Sequence, residues 1–401
     1  PANNLGIPLT VFTSDANDSA AQVSDFVLGD FRDLPSVLDF ARDCDVITFE
    51  HELVPQSVIK GLESAGVKVY PRAESFIYSQ NKLEMRKKVS ELGLPNPKFE
   101  SYSGGKPSLN FPLIAKLPSG GYDGRGVYLI ESQSELEELA KNNGILLLEE
   151  KLPFDFEISV MVARSPHNQA ATWPATLTVQ TDGICTMTIT PTSELSQALE
   201  KRVQQAALTI AEGINLVGVM AVEIFIVGEN FYINELALRP HNSGHWTLDG
   251  AVTSQFEQHV RAICGWPLGS PRRHGRIEMH NLIGAEAHDW NALLQQEGVA
   301  LHLYGKHEAR EGRHEPRHQE GDEGKSGHSP GLFCSIDHAA FIHKKTTVND
   351  NDDHGNEKQK KLEHARELAE LKKQLNQAQQ DLLKTRTQDR LAVELAAEKE
   401  R

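Results

Sequence analysis

The chain has 401 residues, enough for two or three domains, and a 39% hydrophobic fraction that supplies real cores. Its 41 Lys and Arg against 56 Asp and Glu leave a net charge of -15, which argues against a mainly nucleic-acid-binding protein, because no global positive field draws in phosphate backbones. No apolar run nears the ~20 residues that span a bilayer. The opening PANNLGIPLT lacks the layout of a signal peptide, and Cys44, Cys185, Cys264 and Cys334 form no CxxC pair, so a reducing cytoplasm fits.

Residues 1 to about 75 alternate strand and helix, the pattern of a parallel α/β sheet. IPLTVFT, CDVITF and GVKVYP read as strands. LPSVLDFAR and PQSVIKGLESAG read as helices, the second opened by Pro55 as its first helical residue and closed near Gly66. NKLEMRKKVSELG, 81–93, predicts a helix with a glycine stop. Strands follow at FPLIAKL, GVYLIE, GILLLEE, EISVMVAR and around TMTITP. ELSQALEKRVQQAALTIAEGIN predicts a long amphipathic helix. VGVMAVEIFIV, a GEN turn and FYINELAL predict a hairpin, and a further helix covers about 250–264.

After about residue 305 the composition changes. Residues 306–330 are rich in Gly, His, Arg and Glu without apolar periodicity and read as loop. In 357–401, Leu368, Leu371, Leu375, Ala378 and Leu382 step by three and four until Thr385 and Asp389 weaken the seam. That tail is either a solvated charged helix or a short coiled coil.

Three places carry chemistry. Lys116 ends an apolar strand and precedes the loop SGGYDGRG, 119–126. A P-loop or dinucleotide fingerprint needs a helix after the glycines, and here a strand follows. The loop is either a flexible hairpin tip or a cover whose backbone N–H groups meet phosphates, with Lys116 adding a point charge. In the hairpin, a three-residue loop Gly228–Asn230 pairs Val227 with Phe231 and sets Glu223 opposite Glu235, side chains ~5 Å apart on one face. A divalent cation such as Mg²⁺ would relieve their repulsion. A register shifted by one residue, or two solvated acids, is the alternative. Finally, Arg239-Pro-His-Asn-Ser-Gly-His245 gathers a guanidinium, imidazoles, an amide and a hydroxyl. It suits a small planar anion, or is a structural turn. His314-Glu-Pro-Arg-His318 matches H-E-x-x-H literally, but Pro316 breaks the helix that motif requires.

CDVITFEHELVP (44–55), KLPSGGYDGRG (116–126), LLLEEKLPFDFEISVMVAR (146–164), NELALRPHNSGHWTLDGAVTSQFEQH (234–259) and YGKHEAREGR (304–313) together resemble the N5-carboxyaminoimidazole ribonucleotide synthetase family of the ATP-grasp superfamily. The resemblance runs from about Leu5 to about Arg313. It implies an ATP-grasp fold of mixed α/β and α+β class. A pre-ATP-grasp, Rossmann-like domain occupies 1–78, the ATP-grasp domain 79–268 and a small C-terminal lobe 269–313. A low-complexity linker (314–356) and a helical tail (357–401) follow. The family opens with a strand and a GGGQLG-type turn, and this sequence starts beyond it, so the first domain is expected to be incomplete.

The implied reaction is an ATP-dependent ligation. ATP phosphorylates bicarbonate to carboxyphosphate, and 5-aminoimidazole ribonucleotide captures the carboxyl group. Carried over by position, Lys82 and Lys116 hold ATP phosphates. Glu149, Glu150 and Leu152 flank adenine, and Glu157 takes the ribose. Glu223 and Glu235 ligate Mg²⁺, while Arg239, His241, Asn242 and Ser243 form the bicarbonate pocket. Tyr122, Asp123 and Arg125 close on the ribonucleotide, with Asp123 also catalytic, and Lys306 and Arg313 grip its 5′-phosphate. The resemblance further implies a cytoplasmic homodimer. Where the family usually carries an acid after WPA, this chain has Leu177. Two other readings are a different ATP-grasp ligase, which would not share RPHNSGHWT, and an ATP-binding scaffold without activity.

Overall fold

The computed structural model describes residues 2–120, 126–181, 183–283 and 293–303, and the backbone of 340–346. All lie in one compact unit, Pro1–Thr347. Tyr122, Asp123, Arg125, Lys306, Arg313, the 314–318 motif and the 357–401 tail lie outside the described residues.

The first segment holds the parallel strands β1 (Thr10–Thr13) and β2 (Asp25–Leu28), then helices α1 (Leu34–Ala41) and α2 (Gln56–Ser64). Pro55 caps α2 from outside instead of opening it: its ψ of 142° is extended, so the helix starts at Gln56. Gly66 closes the turn at φ +83°. The expected strands CDVITF and GVKVYP shrink to one parallel bridge, Ile47 with Val69. Helices α3 (Ala73–Gln80) and α4 (Lys82–Glu91) follow, with Asn81 accepting from the N–H groups of Leu83 and Glu84 to cap α4.

A four-stranded antiparallel sheet comes next. It contains β3 (Phe99–Tyr102), β4 (Leu113–Lys116), β5 (Val127–Ile130) and β6 (Leu146–Glu150), in the order β3-β6-β4-β5, with α5 (Gln133–Asn143) between β5 and β6. Leu136 of α5 packs on Leu113, Leu146 and Leu148.

The remaining elements are β7 (Phe156–Arg164), β8 (Ala170–Thr172), β9 (Thr176–Thr181), β10 (Ile184–Thr190), α6 (Gln197–Gly213), β11 (Gly218–Val227), β12 (Asn230–Ala237), α7 (Thr247–Gly250), α8 (Gln255–Ile263), β13 (Arg276–Leu282), β14 (Val299–Leu303) and β15 (Ala340–Thr346). Their strands build a sheet in the order β12-β11-β7-β9-β10-β13-β15-β14, with β8 beside β7. The strand β15 falls inside the stretch read as a low-complexity linker, and it pairs with both β13 and β14. The helix expected over 250–264 is two, α7 and α8.

The sheet's two faces explain the near-continuous apolar runs of β7 and β11. Ile158, Val160 and Val162 point to one side, against Leu199, Val203 and Ile210 of α6. Met161 and Ala163 point to the other, with Trp173, Val219 and Trp246. At the opposite end of this second face the alternation brings up Glu157 and Ser159 of β7 and Glu223 of β11, registered as Ser159 opposite Glu223. The candidate site lies where that face turns from apolar to polar.

Candidate active site

Glu223 and Glu235 are directly opposed across β11 and β12. The expected pairing is present, but the path to it differs. The loop is Gly228–Glu229, with Val227 opposite Asn230, which alone would set Glu223 against Asn234. A bulge between Ile233 and Glu235 inserts Asn234 and shifts the register back by one. A bulge re-aims its side chains: Asn234 Oδ1 accepts from Lys116 Nζ at 3.2 Å, and the next residue, Glu235, is hydrogen-bonded to Lys82 Nζ. The side chains of Glu223 and Glu235 keep 26% and 36% exposure, so the pair opens to solvent.

The two lysines come from different elements. Lys82 opens α4, and its N–H donates to Pro118 O at 2.8 Å, pinning the helix to the end of β4. Lys116 is the last residue of β4, and its Nζ lies 2.9 Å from Glu149 Oε2. Glu149 Oε1 accepts from Arg86 Nε at 2.6 Å. Arg86 is fully buried, and its Nη1 donates to Ile233 O at 2.7 Å. Burial raises the Glu149 pKa, but Arg86 and Lys116 outweigh it and hold the carboxyl at about 2. The two oxygens of Glu149 thus serve Arg86 and Lys116, one each. Glu150 accepts from Lys98 N at 2.8 Å. Leu152 is half-buried in the connector after β6, and Phe154 stacks on Phe225 at 4.5 Å. Glu157, opposite Phe225, is pushed up by burial and eased down by Lys116.

The Glu223 carboxyl is raised to about 8 by burial first, then by the charges of Glu235 and Glu157. Glu235 is lowered from its usual value: burial works against its charge, and Lys82 overcomes it. Two carboxyl groups facing each other offer hard oxygens that fit Mg²⁺, since a divalent cation would favour loss of the Glu223 proton and offset the Glu235 charge that adds to its burial.

Beside them sits the 239–245 turn. His241 Nε2 is 3.4 Å from Glu223 Oε1. Its imidazole is pushed well below the usual histidine range by burial, then by Arg239 and His245, and so is neutral at pH 7. Nδ1 shares a 2.8 Å hydrogen bond with Ser243 Oγ, which donates to Ser159 Oγ at 2.7 Å. Asn242 Oδ1 is buried with no hydrogen-bond partner among the described residues. Arg239 Nε donates to Glu52 Oε2 at 2.7 Å. Glu50, two residues earlier, is raised to about 7 by burial, Arg239 pulling down and Glu52 pushing up. Leu177 lies opposite Ile158 and Ile189, on the sheet face turned away from these groups.

Arg86, Glu50, Glu52, Ser159, Asn234 and Gln255 are the residues that sequence reasoning missed. Glu50 and Glu52 lay inside the quoted CDVITFEHELVP, where two acids spaced by one residue were the available signal. Arg86 had only a weak one, an arginine one helical turn after Lys82.

Comparison with known proteins identifies the family. An ATP-grasp domain model matches residues 87–256, flanked by a ribonucleotide synthetase preATP-grasp domain at 1–80 and a phosphoribosylaminoimidazole carboxylase C-terminal domain at 278–314. The N5-carboxyaminoimidazole ribonucleotide synthase of Synechococcus elongatus is 38% identical over 329 residues, covering 78% of this chain and 83% of that protein. The Mycobacterium leprae synthase is 37% identical over 325 residues, 75% of this chain and 73% of the relative. The chain belongs to the N5-carboxyaminoimidazole ribonucleotide synthase family. The crystal structure of the Thermus thermophilus synthetase is similar with a TM-score of 0.74 at 32% identity, covering 86% of this chain and 89% of that one. The Aspergillus clavatus synthase complexed with ATP gives 0.74 at 27% identity with the same coverage. As in the sequence reading, the fold is ATP-grasp behind a pre-ATP-grasp domain.

Proposed function

We propose that this protein is an ATP-dependent ligase that carboxylates 5-aminoimidazole ribonucleotide with bicarbonate, giving N5-carboxyaminoimidazole ribonucleotide, ADP and phosphate in purine biosynthesis. The observation that carries this is the juxtaposition of the facing Glu223 and Glu235 with His241, 3.4 Å from Glu223. Support also comes from relatives bearing the synthase name and from a similar structure complexed with ATP.

The roles follow from the chemistry of the groups. Glu223 and Glu235 would hold Mg²⁺, which supplies charge neutralisation on the phosphates. Lys82 and Lys116 balance the phosphoryl oxygens, since phosphoryl transfer is catalysed mainly by positioning and charge. The end of β6, Glu149 and Glu150, and Leu152 beyond it are assigned to adenine, and Glu157 to the ribose. Arg239, His241, Asn242 and Ser243 receive bicarbonate, the arginine fork matching its planar anion. A bicarbonate oxygen attacks the γ-phosphorus, ADP leaves, and carboxyphosphate forms. The ribonucleotide's exocyclic amine then bonds to the carboxyl carbon, or to CO₂ released from it, and phosphate departs. Tyr122, Asp123 and Arg125 are assigned to the loop over the ribonucleotide, and Lys306 and Arg313 to its 5′-phosphate. A homodimer, a cytoplasmic location and a coiled-coil role for the tail belong to the same proposal.

The test is ADP release by the purified chain. It should require both bicarbonate and 5-aminoimidazole ribonucleotide. Turnover without either one, at the full rate, would refute the ligase reading.

A further inference from the structure

We propose that Gln255 is a positioning residue for the bicarbonate pocket, acting as a two-pronged amide clamp on the His241 main chain. The proposal rests on the reading of His241 as part of that pocket.

Gln255 is the first residue of α8 and is fully buried. Its Oε1 accepts from His241 N at 2.8 Å, and its Nε2 donates to His241 O at 2.8 Å. One side chain thereby bonds both main-chain polar groups of one residue, as a neighbouring strand would. Its own N–H donates to Thr247 Oγ1 at 2.9 Å, and that hydroxyl donates to Gly244 O at 2.6 Å. Gln255 thus ties both ends of the 241–247 turn, His241 through its side-chain amide and Thr247 through its main-chain N–H. Gly244 is fitted to it: a Cβ there would stand 2.5 Å from Gln255 Oε1 and 2.8 Å from its Cδ.

The clamp acts on direction. His241 is held extended, at φ -126° and ψ 151°, and from that backbone its ring reaches Ser243 on one side and Glu223 on the other. Gln255 touches the main chain and not the ring, so it sets where the imidazole points without sharing its chemistry. Loss of both bonds leaves His241 O on Gly244 N and Thr247 on the Gln255 N–H but unties His241 N, loosening the entry of the turn, while Glu223, Glu235, Lys82 and Lys116, all on other elements, stay in place. Bicarbonate use should suffer and nucleotide binding should not. Misplacement of a reacting group by ~1 Å costs on the order of a hundredfold.

The experiment compares Gln255→Met, Gln255→Asn and His241→Ala in the full chain, with steady-state constants for bicarbonate and ATP and thermal unfolding. Gln255→Met, similar in length but without the amide, should raise the bicarbonate KM roughly ten- to a hundredfold and leave the ATP KM within about twofold. Gln255→Asn keeps an amide one methylene short, so it should move bicarbonate alone, by less, and it carries the test if Gln255→Met does not fold. An unchanged bicarbonate KM in the folded variants, or an equal loss for both substrates, overturns the clamp. If His241→Ala raises the bicarbonate KM while the Gln255 variants do not, the clamp alone fails. If His241→Ala leaves it unchanged, the reading of the pocket itself fails.

Discussion

Glu149 carries a charge that its burial opposes. Arg86 and Lys116 hold it ionised at about 2, and it in turn keeps the Lys116 ammonium aimed at the cleft. Removing Arg86 leaves a buried carboxylate short of a partner, a change that typically costs about 3–5 kcal/mol. Arg86→Met should therefore lower the unfolding free energy by about that much in urea titration, with a raised ATP KM; a loss within ~0.5 kcal/mol, the range of ordinary surface substitutions, would contradict the network. Glu235 is different, because it faces the cleft. Glu235→Ala should abolish Mg-ATP turnover with the circular dichroism unchanged, and full residual activity would refute the metal assignment. Glu223 gives a pH signature. Its carboxyl is raised from 4.5 to about 8. A raised carboxyl stabilises the fold below its unfolded value and loses that contribution as pH rises through the folded one. Without Mg-ATP, the melting temperature should therefore fall from about pH 5 to about pH 8, and the increment given by Mg-ATP should widen over the same window. A pH-independent increment, read by calorimetry, would contradict it.

Elements place these residues, and there sequence reading did best where periodicity was long. The 3.6-residue pattern of α6 and the apolar runs of β7 and β11 were legible because burial imposes them. The hairpin shows the limit. A three-residue loop was expected and a two-residue loop formed, yet the Glu223–Glu235 pairing held because Asn234 bulges and restores the count. Nothing local marks such a bulge; it is fixed by Lys116 and Lys82 reaching consecutive residues from other elements. The strands expected at CDVITF and GVKVYP reduce to one bridge although their composition is strand-like, since pairing, not propensity, makes a strand. The cap of α4 bears directly on function. Asn81 accepts from two N–H groups and sets the helix start that presents Lys82. Asn81→Ala should cost about 0.5–2 kcal/mol in urea unfolding and raise the ATP KM; an unchanged KM with the expected stability loss would separate the cap from Lys82.

At the scale of the molecule, the site is assembled from distant parts of the chain. Glu52 of the first segment meets Arg239 after β12, Lys82 meets Glu235, and Arg86 meets Glu149. His259 adds a strut. Burial lowers it to about 4, Val219 N donates to its Nδ1, and so its Nε2–H donates to Thr48 Oγ1 at 2.7 Å. The three ion pairs join residues more than sixty positions apart, so no spacing rule exposes them; the family resemblance offered expected roles for Lys82, Glu149, Glu235 and Arg239 but none for Glu52 or Arg86, and the sheet's change from apolar to polar supplies the reason they meet.

The most direct test of carboxyphosphate formation follows oxygen. If a bicarbonate oxygen attacks the γ-phosphorus, turnover with ¹⁸O-labelled bicarbonate in the presence of 5-aminoimidazole ribonucleotide must deliver one label to inorganic phosphate. Singly labelled phosphate should appear in step with ADP formation. Unlabelled phosphate at the same turnover would contradict it.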